Sequence, residues 1–202
     1  MTIAPRTAAL ISVLLFLAEP AAAQGRPGAD PDWPCFQPKT PTFSLAAVWA
    51  GPPIDLSSQA WRDDPRVADL AAKMASRRTP LSDAEASIAA FAKSEPDARQ
   101  KLPIAFGAVF LTLTSQRSQI IEGLDRFGRR QRELADQIRS ENAAVQAANA
   151  KGSVDQNPAV EKLQWDLRLF EDRRHAVSYA CETPTLIEQR IGALARAVQA
   201  AM

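Results

Sequence analysis

The sequence predicts an all-α protein built on a long antiparallel helical hairpin, coiled-coil-like, with short helices and a proline- and tryptophan-rich N-terminal strap. Three observations carry this. From Phe106 to Ala150 the apolar residues recur at helical spacing without a proline. That regularity is interrupted at Gly152 and Asn157-Pro158 and then resumes toward the C-terminus. Eight of the fifteen prolines fall between Pro27 and Pro65, and over residues 26–63 they recur too often for a helix.

Residues 1–23 have the three parts of a secretory signal peptide: Arg6, the apolar run Ala8 to Ala18, and the small residues Ala21 to Ala23 before Gln24. The apolar run is about half of what spans a bilayer, so cleavage is expected rather than stable membrane insertion. Arginine outnumbers lysine three to one and alanine is abundant, as in GC-rich bacterial genes, so export would lead to the periplasm.

The strap, residues 24–63, carries Trp33, Phe36, Phe43, Trp49 and Trp61 on an extended backbone. Exposed together they would make a sticky surface. They are expected either to cover the helical half or to dock a partner, with Trp33, Trp49 and Trp61 as candidate contact residues. Cys35 and Cys181 are the only two cysteines, and an exported chain with two usually pairs them.

The helical domain, residues 64–202, starts where Asp64 caps and Pro65 occupies the first turn, with Val67, Leu70 and Met74 on one face. A second short helix is expected behind Leu81. Ser82 and Glu85 have capping-box spacing, and Ala84, Ile88 and Phe91 form its apolar face. Pro96 suits the start of a third helix, which Pro103 would kink or restart.

The hairpin arms are placed at 104–150 and 158–200. In the first, Phe110, Leu113, Arg117, Ile120, Leu124, Phe127, Gln131, Leu134, Ile138, Glu141, Val145 and Ala148 make six heptads of seam. In the second, Val160, Leu163, Leu167, Phe170, Arg174, Val177 and Cys181 continue it. Thr183-Pro184 should kink this arm or cap a new helix, after which Ile187, Ile191, Leu194 and Val198 follow. Folding back about residue 154 sets Ile138 beside Phe170, Phe127 beside Cys181, and Arg117 opposite Ile191 within reach of Glu188. Cys35 and its neighbours Trp33 and Phe36 would then lie midway along the rod. Arg117, Gln131 and Arg174 are polar where an apolar residue would be more stabilising. They are expected to fix register or to meet a partner.

Several chemistries lack their residues. The single histidine, His175, has Glu171, Asp172 and Ser178 on its helix face, yet a helix surface offers no oxyanion hole or cleft. One histidine and two distant cysteines cannot make the usual zinc set. No cofactor motif is present, so neither metal nor cofactor is expected. With 24 basic and 23 acidic residues, no strong field points to nucleic acid. The basic run Arg126, Arg129, Arg130 and Arg132 is interleaved with acids, as on a solvated coiled-coil flank.

The segment PDWPCFQPKTPTFSLAAVWAGPPI (Pro31 to Ile54) and the segment FEDRRHAVSYACETPTLIEQRIGALARA (Phe170 to Ala197) resemble a family of exported alphaproteobacterial proteins. The likeness is most specific at Trp33-Pro34-Cys35 and from Phe170 to Cys181. It implies export and brings no activity with it. The expectation is a non-enzymatic periplasmic interaction or accessory protein that presents a helical-hairpin surface to a protein partner, with oligomers allowed. The alternatives are a holdase-like chaperone or a small-ligand-binding protein.

Overall fold

The computed structural model describes residues 30–150 and 158–202. Among these there are four α-helices and no strand: α1 (Pro65–Ala75), α2 (Leu81–Ser94), α3 (Ala98–Asn149) and α4 (Pro158–Ala201). The predicted signal peptide, and the hairpin turn with Gly152 and Asn157, lie outside the described residues.

α1 begins as its sequence dictates. The Asp64 carboxylate accepts from the Arg66 and Val67 amides, and Pro65 fills the first turn. Val67, Leu70 and Met74 are buried. α2 corrects the expected capping box: Pro80 is its N-cap, no side chain caps it, and Ser82 instead turns its hydroxyl to Asp83. The extended backbone of Pro80 starts the helix at Leu81, two residues too early for Ser82 to cap.

α3 has 52 residues and runs roughly 78 Å. It starts at Ala98, earlier than the expected arm, and continues through Pro103 without a restart. α4 likewise passes through Pro184, so the predicted cap at Thr183 is not realised. Both prolines are buried within helices that continue past them, where sequence alone suggests a stop.

The core sits at the open end of the hairpin. There α1 and α2 close over the first part of α3 and the last part of α4, burying Met74, Ile88, Leu102, Phe106, Ile191 and Leu194. Toward the turn only two helices remain. Ile121, Leu124, Leu134 and Val145 of α3 are buried there, while the described part of α4 before Cys181 buries only Asp166.

The strap does not cross the hairpin; it lies lengthwise in the groove between α3 and α4. From midway it descends toward the open end. Asp32 lies at Gly128, Thr40 and Pro41 at Arg117, and Phe43 stacks on Phe110 at 6.2 Å between ring centroids. Trp49 then stacks on Phe106 at 4.8 Å, and the Ala50 amide donates to Gln199. Single turns of 3-10 helix at Leu45–Ala47 and Ala60–Arg62 let the chain change direction.

Gly128 is what lets the strap approach α3. A Cβ built there would lie 1.7 Å from the Asp32 carbonyl oxygen, a backbone atom that cannot swing aside. Gly128→Ala should gain helix propensity, about 1 kcal/mol, yet lose more by lifting the strap. The expected net loss is about 1–3 kcal/mol, with a red shift of Trp33 emission. An unchanged or raised melting temperature would show that the strap is not seated on this glycine.

Candidate functional site

Cys35 and Cys181 lie at bonding distance, with Cα atoms 5.6 Å apart. Such a pair is compatible with an oxidising compartment. Around it the strap is fastened by polar contacts that the heptad pattern does not announce. The Gln37 amide donates to the Cys181 carbonyl at 3.0 Å. Lys39 sits 2.7 Å from both Asp30 and Asp125, and these two carboxylates, Asp125 first, hold its ammonium pKa above the usual lysine value. Asp32 pairs with Arg129 and Arg132. Two of the four clustered arginines are therefore committed to the strap, and a third, Arg126, faces Glu122 at 3.9 Å.

Arg117 is the centre of this fastening. It is 2% exposed. Its Nε lies 2.5 Å from Glu188, as the fold-back register anticipates, and its two terminal nitrogens donate to the Thr40 and Pro41 carbonyls. The guanidinium also lies over the Phe43 ring at 5.8 Å. One side chain thus joins both hairpin arms and the strap.

The other two polar seam candidates part ways. Gln131 does bridge the arms, donating to the Phe170 carbonyl at 3.3 Å. Arg174 does not: it is exposed and pairs with Glu171 on its own helix at 2.7 Å. Leu167 is likewise outside. In their stead the inward line of α4 runs Leu163, Asp166, Phe170, Arg173 and Val177. Asp166 is 7% exposed and sits in a cluster with Lys162, Gln137 and Glu141. Lys162 holds the Asp166 carboxyl below the usual aspartate value. The frame shift follows from these charges. A hydrophobic reading prefers Leu167 to Asp166, yet a neutralised carboxylate tolerates the seam better than its register tolerates a break. The arms also pair in another register than expected here: Gln137 meets Asp166, and the Phe170 carbonyl, expected beside Ile138, is met by Gln131 seven residues earlier.

Trp33 packs within the strap, its indole donating to the Gln37 carbonyl at 2.7 Å with Lys39 over its ring. Trp49 donates to the Pro52 carbonyl and stacks on the core. Trp61 packs against the core with Arg62 over its ring. Phe36, expected on the hairpin flank, is instead fully exposed. The hydroxyl of Ser178 donates to the backbone carbonyl of His175, so no serine–histidine dyad is assembled.

Two surface features extend beyond the sequence-based candidates. One is a row on the outer face of α4: Trp165, Tyr179 and Leu186, respectively 61%, 81% and 55% exposed. They stand at multiples of seven residues, with Asp172 at the remaining position and Leu169, Ala176 and Thr183 interleaved. The heptad count that located the inner seam would have found this second one. The other is a cavity of about 480 Å³ between the strap and α3, lined in part by Trp61 and Arg99.

Among the described residues no group of three or more histidine, cysteine or acidic side chains could hold a metal ion. None of the described helices is long and apolar enough to cross a membrane. No protein-family model, curated protein or solved structure matches the chain, so the reading of its function rests on this geometry.

Proposed function

We propose that this is a non-enzymatic interaction or accessory protein of the periplasm, presenting the outer face of α4 to a helical segment of a protein partner. The observation that carries the reading is the exposed seven-residue row Trp165, Tyr179 and Leu186. Seven residues fall about 20° short of two full turns, so three such residues stay on one face. Exposed aromatic and large apolar side chains aligned in this way are what a second helix recognises through heptad packing. Strap and hairpin supply a rigid frame behind the row, since the disulfide and Arg117 lock the strap into the groove. The N-terminal pattern of Arg6, Ala8 to Ala18 and Ala21 to Ala23 supports the compartment.

Site-specific photo-crosslinking in periplasm tests this. A crosslinker at Tyr179 should capture one defined protein, while one at Gln119 of α3 should not. The variant Trp165→Ser/Leu186→Ser should keep its helical circular dichroism and lose that product. An identical yield from the variant would defeat the proposal, and a ladder of many unfolded clients would favour a holdase.

A further inference from the structure

We propose that the cavity between the strap and α3 is a binding site for a small amphiphilic monocarboxylate, one with an apolar body and a single anionic head. Between Pro52 and Trp61 the strap and the first turns of α3 flank a half-open cavity of about 480 Å³. That lies within the range of roughly 300–1,000 Å³ typical of small-molecule sites. Ile54, Leu56 and Trp61 wall it on the strap side, Ile104 and Leu111 on the α3 side. These surfaces suit a hydrocarbon body.

Two of the residues lining the cavity have backbone consequences. Gly107 forms part of its floor, and a Cβ there would come within 2.7 Å of Ile54 Cγ2, so glycine lets the strap reach the helix beside the opening. Pro103 has no N–H to give the Arg99 carbonyl, so that carbonyl lacks its helical donor where both residues line the cavity.

Polar groups are gathered at one edge, the first turns of α3. Arg99 and Gln100 line the cavity, are exposed, and have no side-chain hydrogen bond or ion pair with any described residue. The helix they begin carries no side-chain cap, so its positive end stands beside the Arg99 guanidinium. An unpaired arginine at the rim of an apolar cavity is complementary to a carboxylate, which it can take with two parallel hydrogen bonds. Asp55, on the strap edge, is engaged through Oδ1 by the amide and hydroxyl of Ser57 at 2.9 and 2.6 Å. Its charge would turn an anionic head away from the strap and toward Arg99, so the two rims together fix the ligand's direction.

Decanoate, below its micelle concentration, is the probe, titrated calorimetrically into the full mature protein. It should bind with one-to-one stoichiometry, and decanol and decyltrimethylammonium should bind at least about tenfold more weakly, since a charge-assisted hydrogen bond would be lost. Arg99→Glu should weaken decanoate about tenfold or more without lowering the melting temperature, because Arg99 is exposed and an acidic residue suits the first turn of a helix. Leu111→Trp, at the half-exposed wall, should block the cavity and abolish binding. Absence of decanoate binding to the native protein would overturn the proposal. So would binding that survives both variants, or that is lost on Trp165→Ser, which would put the ligand on the outer face of α4. Equal or tighter binding of the cationic amphiphile would overturn the assignment of the head group to Arg99.

Discussion

Removing the Cys35–Cys181 bond is expected to lower the unfolding free energy by about 4–5 kcal/mol in the loop-entropy description. The cysteines are 146 positions apart, so the bond closes nearly the whole folded chain and strongly restricts the unfolded ensemble. The folded state should change little, because the strap keeps other anchors: Lys39 on Asp125, Arg117 on Thr40 and Pro41, and the stacked pairs Phe43–Phe110 and Trp49–Phe106. Cys35→Ser/Cys181→Ser should therefore retain native circular dichroism at low denaturant. Its urea midpoint should fall and its denaturant slope rise, since an uncrosslinked chain exposes more surface on unfolding. A stability within about 1 kcal/mol of the native protein would show that the entropic closure does not operate here.

Arg117→Leu should cost about 2–4 kcal/mol, the opposite of what a simple register residue would do. In a bare seam, leucine at this position would pack as well as its neighbours and often stabilise. Here the guanidinium is buried and satisfies three acceptors on two different elements. Leucine would leave the Thr40 and Pro41 carbonyls without their donor and Glu188 without its partner. Glu188 is 28% exposed and can recover water, which keeps the loss below the upper range for buried pairs. Arg117→Lys should restore only part of the stability, because one ammonium cannot span the three acceptors in the guanidinium's plane. Arg174→Ala, by contrast, should change stability by less than about 0.5 kcal/mol. Equal effects at the two arginines would contradict the difference in their surroundings.

The hairpin was legible because α3 states its period plainly: each of its twelve expected seam positions is buried or partly buried. The cysteine pairing followed from their number and the expected export, and the contact of Arg117 with Glu188 from simple counting. What sequence could not show was where charges would be neutralised. Asp166 reads as surface until Lys162 and Gln137 are placed around it, so Leu167 and Arg174 were put inside where Asp166 and Arg173 face the seam, while Leu163, Phe170 and Val177 keep their expected places. Strap contacts were hidden for a related reason. They go to backbone carbonyls at Thr40, Pro41 and Cys181, and a carbonyl leaves no mark in a side-chain pattern. Gly128, read as one more residue on a helix, has its meaning only when Asp32 arrives beside it.

The lengthwise seat of the strap has a consequence for the order of assembly. Synthesis delivers the strap before the helices, but its seat needs Cys181, Glu188 and Gln199 on α4. The strap must therefore wait for a helix made well after it, and its docking closes contacts of high sequence separation, which form slowly. Its prolines suit that wait. They keep the unseated chain from winding into a helix or joining the edge of a sheet, so its tryptophans stay on a backbone that competes poorly for wrong partners. The ion pairs of Asp32 and Lys39 can then recruit it to α3 before the sulfur atoms meet, leaving the covalent step to seal a geometry already found.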